Sequence, residues 1–416
     1  MDATGYFCSD YFTVDPKFGT LEQARTLVDE AHARGLYVFF DGVFGHHKSN
    51  VVASPGELLP SGGENPVSYP GSLPFYTELA KYWVRELKID GWRLDQAYQV
   101  PVGYWDDLRS AVAQASEEVT YVDGDGETVH PLGYMVAEVW SGEGQISSAA
   151  YGSNASPALA SAFDFPTRYR LVQVLAAQED IEASYAKNGP ASRLNEAFGT
   201  FGAYPDHAMP NLMLGNHDLV RFGDLVERAG YAGPGSASYW SRHKAAFAFQ
   251  AAYSGPITVY YGDEVGDEVP AFDQPVSDCG TQGLCDDHVA RTSGIVRGVA
   301  TRYGGTPTVL NANQADLVDY VSSLMALRAA HPALSHGSRT HVYSDVNVYL
   351  DRKEAGSDRI LFALNVKDQA AVITLAASTV GGATQLTDLL SAETLPASGG
   401  QFTLELAPLS GRFLAY

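Results

Sequence analysis

The chain has 416 residues, of which 45% are hydrophobic and 18% are charged, and its formal net charge is −22. A chain of this length holds one large domain and a smaller one, and no apolar run reaches the roughly 18 residues that a membrane span needs. Strong acidity without a basic cluster excludes nucleic acid as a partner and disfavours a polyanionic substrate. A neutral ligand such as a sugar fits this surface.

The first predicted helix follows an aromatic-rich loop that ends near residue 19. Thr20 is the expected N-cap, and apolar residues recur at helical spacing from Leu21 until Gly35. The apolar run at residues 37–44 is expected to form a buried strand.

Strands and helices then alternate, which predicts a parallel sheet with helices on its outside. An open sheet of this kind commonly holds its ligand over a glycine-rich phosphate loop, which this sequence lacks. Polar groups at many strand ends instead favour a barrel, and a closed barrel needs eight strands. The six predicted strands lie near residues 38, 92, 135, 162, 212 and 258.

The predicted fold class is therefore α/β: a (β/α)8-type TIM barrel whose N-terminal strands are missing from this chain, followed by a small antiparallel β-sandwich. The barrel is assigned to residues 1–332, with a short excursion at residues 45–73. Short β-rich runs separated by turns, which are typical of a sandwich, occupy residues 333–416.

Two of the three cysteines, Cys279 and Cys285, flank a short glycine-rich loop. A local disulfide is predicted there, with two free thiols as the alternative. Because disulfides persist outside the reducing cytosol, the pair favours a periplasmic or secreted protein. The loop offers too few ligands for zinc.

Four short segments of the sequence each begin with or contain apolar residues and finish in ionisable side chains, as expected at the end of a buried strand. Acids at several strand ends predict one shared pocket at one face of a barrel. A single such acid is more simply an ion pair or a capped loop, but four segments in this order disfavour that interpretation. The segments are Asp41–His47, Gly91–Asp95, Met135–Trp140 and Leu212–Asp218.

Asp95 and Glu138 are the predicted reacting acids. Arg93 lies two residues before Asp95, so both side chains share one face of a strand, and the guanidinium keeps Asp95 charged and oriented as a nucleophile. Apolar neighbours in sequence are expected to raise the pKa of Glu138, which suits a proton donor. A separation of about 5–5.5 Å between the two carboxyls would give retention of configuration. Groups expected to hold sugar hydroxyls are His46, His217 and Asp218.

These segments resemble the four signatures of the α-amylase family of glycoside hydrolases (glycoside hydrolase family 13). The matching patterns are Asp41-x-Val43-x-x-His46, Gly91-x-Arg93-x-Asp95, Glu138 and Asn216-His217-Asp218. The resemblance implies a nucleophile at Asp95, an acid/base at Glu138 and a transition-state stabiliser at Asp218. It further implies a structural acid at Asp41, an eighth-strand segment at 260–264, and substrate contacts at Tyr6, His46, Arg93, His217 and Arg221.

The chain departs from these signatures at two places. Gly45 stands where the family usually has Asn, and Tyr98-Gln99 stand where Lys-His is common. In many members that Asn and His help to bind a structural calcium. The usual calcium site is therefore not expected, no metal is assigned, and no cofactor is required for the chemistry. Tyr98 and Gln99 are instead expected to shape the acceptor side of the site, next to Trp140, which is expected to contact the substrate.

The start of the chain also departs from the family, whose members begin with a strand, a helix and a second strand before the segment that matches Gly5-Tyr6. An open barrel would expose apolar strand edges. A fragment is the favoured explanation. The alternatives are a homodimer in which the copies exchange strands, and a barrel that is built differently.

The resemblance implies a retaining hydrolase of α-glucosidic bonds in starch, maltodextrin or short α-glucosides. A transglucosylase that uses the same intermediate is one alternative. A non-catalytic α-glucan-binding protein is another, because the barrel looks incomplete. A metal-dependent barrel hydrolase is disfavoured, since Arg93 would lie beside the metal ion.

Overall fold

The computed structural model describes residues 5–180, 183, 186–199, 202, 204–270, 272–276, 291–292 and 309–416. The chain forms two compact units, the first comprising Met1–Phe163 with Phe201–Pro210 and the second Asp164–Thr200 with Asn211–Tyr416. This division falls between the fourth and fifth predicted strands. The predicted domain boundary after residue 332 stays a prediction, because a compact packing unit need not coincide with a fold domain.

The strands of the first unit are β1 (Phe39–Val43), β2 (Gly91–Asp95), β3 (Tyr121–Val122), β4 (Thr128–Val129), β5 (Tyr134–Ala137) and β6 (Ser161–Ala162). Four of them form a parallel sheet of order β1-β2-β5-β6, and β3 and β4 form a small antiparallel pair. Its helices are α1 (Leu21–His32), α2 (Leu73–Leu87), α3 (Gly103–Glu117) and α4 (Glu143–Ile146), which a π-helical turn at Ser147–Tyr151 extends.

Local sequence explains where two of these elements begin. Thr20 caps α1 as predicted: its hydroxyl accepts the N–H of Gln23, whose side chain accepts the N–H of Thr20 in return. Strand β2 begins at Gly91, whose φ is +148°. A Cβ on Gly91 would lie 1.7 Å from the carbonyl oxygen of Tyr134, so only glycine lets β2 pass this close to β5.

Helix α2 supplies much of the core of the first unit. Its buried residues Phe75, Leu79, Trp83 and Leu87 recur every four positions, so they form one apolar stripe. Full burial of each such side chain contributes about 1.5–3 kcal/mol.

The second unit contains the remaining elements of the described chain. Its helices are α5 (Phe165–Leu175), α6 (Ser192–Gly199), α7 (Phe222–Arg228), α8 (Ala237–Ala251), α9 (Ala312–Ala330) and α10 (Pro332–Ser335). Strands β7 (Leu212–Met213) and β8 (Ile257–Thr258) pair in parallel. The others are β9 (Ser338–Ser344), β10 (Val348–Ala355), β11 (Asp358–Asn365), β12 (Ala371–Ala376), β13 (Gln385–Asp388), β14 (Thr394–Pro396), β15 (Gln401–Leu406) and β16 (Ser410–Ala415).

These eight C-terminal strands pair antiparallel, in a six-stranded sheet of order β14-β13-β16-β11-β10-β9 and a two-stranded sheet of β12 and β15. A shared apolar core that includes Leu361, Phe402 and Leu414 joins the two sheets, in agreement with the predicted antiparallel β region. A turn separates β9 from β10, because Asp345 accepts the N–H groups of Asn347 and Val348.

All six predicted parallel strands are present, as β1, β2, β5, β6, β7 and β8. Whether two barrel strands are missing stays a prediction. Cys279 and Cys285 lie outside the described residues, and the predicted disulfide stays a prediction with them. Within the described part of the chain, no helix is long and apolar enough to cross a bilayer.

Candidate active site

Parallel pairing of β1 with β2 brings the first two acidic segments together. The register places Asp41 opposite Arg93 and Val43 opposite Asp95. Since the strands are parallel, their carboxyl ends lie at the same edge of the sheet, and β5 ends at that edge directly before Glu138. The first three signatures therefore converge as predicted, because the strands that contain them are adjacent in the sheet.

Arg93 is the centre of this cluster. Its Nη1 lies 2.6 Å from Asp41 Oδ1 and 2.9 Å from Asp95 Oδ1. Burial disfavours the charged guanidinium, but Asp41, Tyr6 and Asp95 outweigh that cost and raise the pKa of Arg93. Arg93 is therefore a fixed positive charge between two acids.

Asp95 presents one bonded and one open oxygen. Its Oδ1 accepts from Arg93, whereas its Oδ2 is buried, has no hydrogen-bond partner and lies 4.0 Å from Nε2 of His46. Burial raises the pKa of Asp95, and Arg93 opposes that shift. The predicted orientation by Arg93 is present, but burial is the larger influence on the charge. An open carboxylate oxygen in a desolvated site is what a nucleophile requires.

Glu138 continues the ladder of the sheet beyond β5. Its N–H donates to Leu94 O, and its carbonyl accepts from Ala97 N–H, each at 2.9 Å. The residue is 5% exposed, and its Oε2 accepts the N–H of Gln96 at 2.8 Å and lies 3.8 Å from Nη2 of Arg93. Asp95 and Glu138 thus both lie beside one guanidinium group.

Tyr6 and Asp41 form the outer side of this cluster. The hydroxyl of Tyr6 donates to Asp41 Oδ2 at 2.8 Å, and the Tyr6 ring centre lies 5.6 Å from the Arg93 guanidinium carbon. Burial and the neighbouring Asp41 raise the pKa of Tyr6, so the phenol keeps its proton. Asp41 holds Arg93 and Tyr6 together, which fits the structural role expected for it.

The residues expected on the acceptor side differ in exposure. Trp140 is 47% exposed and Tyr98 is 49% exposed, so both offer ring surface to a ligand. Gln99 instead uses its amide on protein groups, among them Nδ1 of His46 at 2.8 Å. Contact of Gln99 with a sugar stays a prediction.

The fourth signature lies in the second unit. His217 Nε2 is 3.2 Å from Asp218 Oδ2, and Arg291 Nη2 is 2.9 Å from Asp218 Oδ1. Arg291 also donates from Nε to the carbonyl of His217 at 2.8 Å. A cation therefore fixes Asp218 much as Arg93 fixes Asp95.

Arg221 is 1% exposed, and its guanidinium contacts the eighth-strand segment. Its Nη1 donates to the carbonyl of Tyr261 at 2.9 Å and to Asp263 at 3.3 Å. The rings of Tyr260 and Tyr261 lie 4.7 and 5.0 Å from its guanidinium carbon. Arg221 therefore holds this segment in place, and its predicted sugar contact stays a prediction.

The second unit also contains three buried carboxyl groups with shifted pKa values. Burial raises the pKa of Asp224, Asp263 and Glu268 to about 7 in each case. Unfolding returns a carboxyl to its ordinary pKa of about 4. Between these pH values the folded state keeps protons that the unfolded state loses, so stability falls as pH rises through this range.

The variant Asp224→Asn tests this dependence of stability on pH. In the unsubstituted chain Oδ1 of Asp224 accepts the N–H of Val269 at 3.0 Å, and the amide oxygen of Asn can accept the same bond. Between about pH 5 and pH 8 we expect the free energy of unfolding of the unsubstituted chain to fall by on the order of 1–3 kcal/mol more than that of D224N. Urea unfolding at each pH measures this difference. The exposed Asp319→Asn is the control, and parallel pH curves for all three proteins would contradict the prediction.

Comparison with known proteins identifies the family. Residues 1–54 and 75–290 match the family described as alpha amylase, catalytic domain. The chain belongs to the α-amylase family. Cyclomaltodextrinase from Geobacillus thermopakistaniensis is 26% identical over 441 residues, which cover 97% of this chain and 63% of the relative. Neopullulanase 2 from Thermoactinomyces vulgaris is 24% identical, over 98% of this chain and 65% of the relative.

Two solved structures of AmyP resemble this α-amylase family chain, each with 54% sequence identity and a TM-score of 0.95. One is a complex with maltose, and the other is a Glu-to-Gln variant in complex with maltotriose. Both alignments cover all of this chain, and 81% and 82% of the AmyP chains. These matches imply the TIM barrel and C-terminal β domain of the family. The chain spans about three fifths of the length of the curated relatives it matches.

Sequence reasoning missed two residues that bond the predicted acids, one in each unit. Gln96 follows Asp95 directly, but only its left-handed backbone, with φ +41°, turns its N–H toward Glu138. Arg291 lies 73 residues after Asp218 and just beyond the matched family region, in no recognisable motif. The sequence contains no signal for Arg291, whereas the position of Gln96 beside the nucleophile could have drawn attention to it.

Proposed function

We propose that this chain is a retaining glycoside hydrolase that cleaves α-glucosidic bonds of starch, maltodextrin or short α-glucosides. One observation supports this most: Asp95 presents a buried, unpartnered Oδ2 while Arg93 holds its Oδ1 and also lies beside Glu138. Retaining enzymes of this kind use one carboxylate as nucleophile and a second carboxyl as acid/base.

In the proposed first step, Asp95 Oδ2 attacks the anomeric carbon, and the bond from that carbon to the leaving oxygen breaks. Glu138 gives its proton to the leaving oxygen, so a glucosyl ester of Asp95 and a free sugar hydroxyl result. In the second step, Glu138 takes a proton from water, the water oxygen attacks the same carbon, and Asp95 leaves as the carboxylate. Two inversions give net retention.

Asp218 and His217 are proposed to stabilise the positive charge that develops on the sugar ring. Arg291 supports this role, since it fixes Asp218 with a bond of 2.9 Å and so pre-organises the carboxylate. Structures of AmyP with maltose and maltotriose support an α-glucan as the ligand class.

Transfer to a second sugar is a candidate alternative to hydrolysis. The exposed rings of Tyr98 and Trp140 favour it, because an acceptor sugar can stack there and compete with water for the intermediate. The chemistry at Asp95 and Glu138 is the same in both cases.

Incubation with maltoheptaose, followed by proton NMR and chromatography, tests the proposal. We expect the first products to have the α configuration, which mutarotation then converts to a mixture. Initial β products would contradict the retaining mechanism, and products longer than the substrate would show transfer. Binding without any product, with the same result for Asp95→Asn, would instead support a glucan-binding protein.

A further inference from the structure

The two departures from the family signatures, Gly45 and Gln99, contact each other in the structure. A Cβ built on Gly45 would lie 2.4 Å from Cβ of Gln99 and 2.4 Å from its Oε1. The end of a flexible side chain can move away, but the Cβ of Gln99 is fixed by the backbone. Any larger residue at 45 is therefore incompatible with the present position of Gln99.

The space that Gly45 leaves is filled by a side-chain amide that is almost fully hydrogen-bonded. Nε2 of Gln99 donates to Asn65 Oδ1 and to Gln96 Oε1, each at 3.0 Å. Because both amide hydrogens are used, Oε1 of Gln99 faces Nδ1 of His46 at 2.8 Å and accepts a hydrogen bond from its N–H. Gln99 thus fixes the His46 ring with Nε2 directed toward Asp95 Oδ2, at 4.0 Å.

The same amide also supports the acid/base. Gln96 has a left-handed backbone, which is costly for a residue with a side chain. Its side-chain oxygen accepts from Gln99 and from the Tyr98 hydroxyl, the latter at 2.8 Å, and its backbone N–H bonds Glu138. A continuous hydrogen-bonded chain therefore runs from His46 through Gln99 and Gln96 to Glu138.

The structural calcium that many members of the family bind does not fit these residues. Gly45 has no side-chain oxygen, the oxygen of Gln99 is bonded to His46, and the Gln99 nitrogen faces Asn65, where a cation would need an oxygen ligand. Among the residues that the structure describes, no group of three His, Cys, Asp or Glu side chains could hold a metal ion.

We propose that Gln99 is a positioning residue that orients His46 and Gln96 by direct hydrogen bonds, in place of a metal ion, and that Gly45 is the residue that admits it. The inference rests on the proposed function insofar as His46 and Glu138 serve catalysis. The contact between Gly45 and Gln99 is independent of that function and can be tested by stability alone.

The first experiment is a double-mutant cycle of thermal unfolding with Gly45→Ala, Gln99→Gly and both together. G45A adds a methyl group where Gln99 stands and is expected to lower the unfolding temperature by several degrees. Gln99→Gly removes both the Cβ and the side-chain oxygen, so both close contacts with the added methyl group disappear. The double variant should therefore be more stable than the sum of the single effects predicts. Strict additivity would overturn the inference whether or not the protein is an enzyme.

The second experiment compares hydrolysis of maltoheptaose by Gln99→Leu and by the exposed control Gln145→Leu, each with calcium chloride and with EGTA. We expect kcat of Q99L to fall by about 10- to 100-fold with a smaller change in KM, because misplacement of a catalytic group acts on the transition state. Q145L should have the kcat and KM of the unsubstituted chain. Replacement of calcium chloride by EGTA should change the activity of none of the three proteins. Equal kcat for Q99L and Q145L, or activity that requires calcium in the unsubstituted chain, would overturn the proposal. An unsubstituted chain without activity would contradict the proposed function and leave the unfolding cycle to decide the inference.

Discussion

Replacement of Asp95 by Asn is expected to lower kcat on maltoheptaose by about 10⁴-fold or more, because the variant has no carboxylate to form the glucosyl ester. The protein should nevertheless stay folded. Burial raises the pKa of Asp95, so the charged form is costly in the folded state. A neutral amide of the same size removes that cost, and we expect an unfolding temperature that is unchanged or higher.

A matched control separates loss of the nucleophile from a general effect of charge removal. Asp106 has a side chain that is 54% exposed and pairs with Arg109 at the surface, so Asp106→Asn should keep activity within about twofold. Azide gives a second readout, since it can attack the anomeric carbon in Asp95→Ala and form a β-glucosyl azide. D95N turnover equal to that of D106N, or rescue that yields only the α-glucosyl azide, would remove Asp95 from the nucleophile role.

Glu138→Gln is expected to lower kcat on maltoheptaose by about 10²- to 10⁴-fold, because the leaving oxygen no longer receives a proton. The loss should depend on the leaving group. With α-glucosyl fluoride the first step needs no proton, so the glucosyl ester should form and accumulate. Azide, which needs no general base, should then restore turnover and give the α-glucosyl azide.

The exposed Glu127→Gln is the control for Glu138 and should behave like the unsubstituted chain on both substrates. With azide present in both assays, the ratio of rates on maltoheptaose and α-glucosyl fluoride is the decisive quantity, since a misfolded protein would lose both activities equally. An unchanged ratio in E138Q would mean that another group donates the proton.

Contacts between residues that are close in sequence could be predicted from the sequence. The spacing of Arg93 and Asp95 placed both on one strand face, and Thr20 was recognised as the cap of α1 by its sequence context. Apolar runs located all six parallel strands. The prediction that the first of them is buried was wrong for its N-terminal part, because Phe39 and Asp41 in β1 are exposed and only Gly42 and Val43 are buried.

Features that depend on contacts distant in sequence, or on unusual backbone, were not predictable. Gly45 and Gln99 appeared as two separate departures from the family, and only the structure shows that one fills the space of the other. Burial of Asp95, which decides the direction of its pKa shift, likewise depends on packing that no local pattern records.

The position of Arg93 between the two acids has a consequence for the energetics of the proposed reaction. Before attack, the negative charge is on Asp95, 2.9 Å from Nη1, and after attack it is on Glu138, whose Oε2 is 3.8 Å from Nη2. The guanidinium of Arg93 therefore has one of these two acids as a counter-ion in both states. The negative charge moves from Asp95 to Glu138 while Arg93 stays in place, and the summed charge of the three side chains does not change. Few dipoles then need to reorient as the glucosyl ester forms, and the reorganisation energy of that step is correspondingly small.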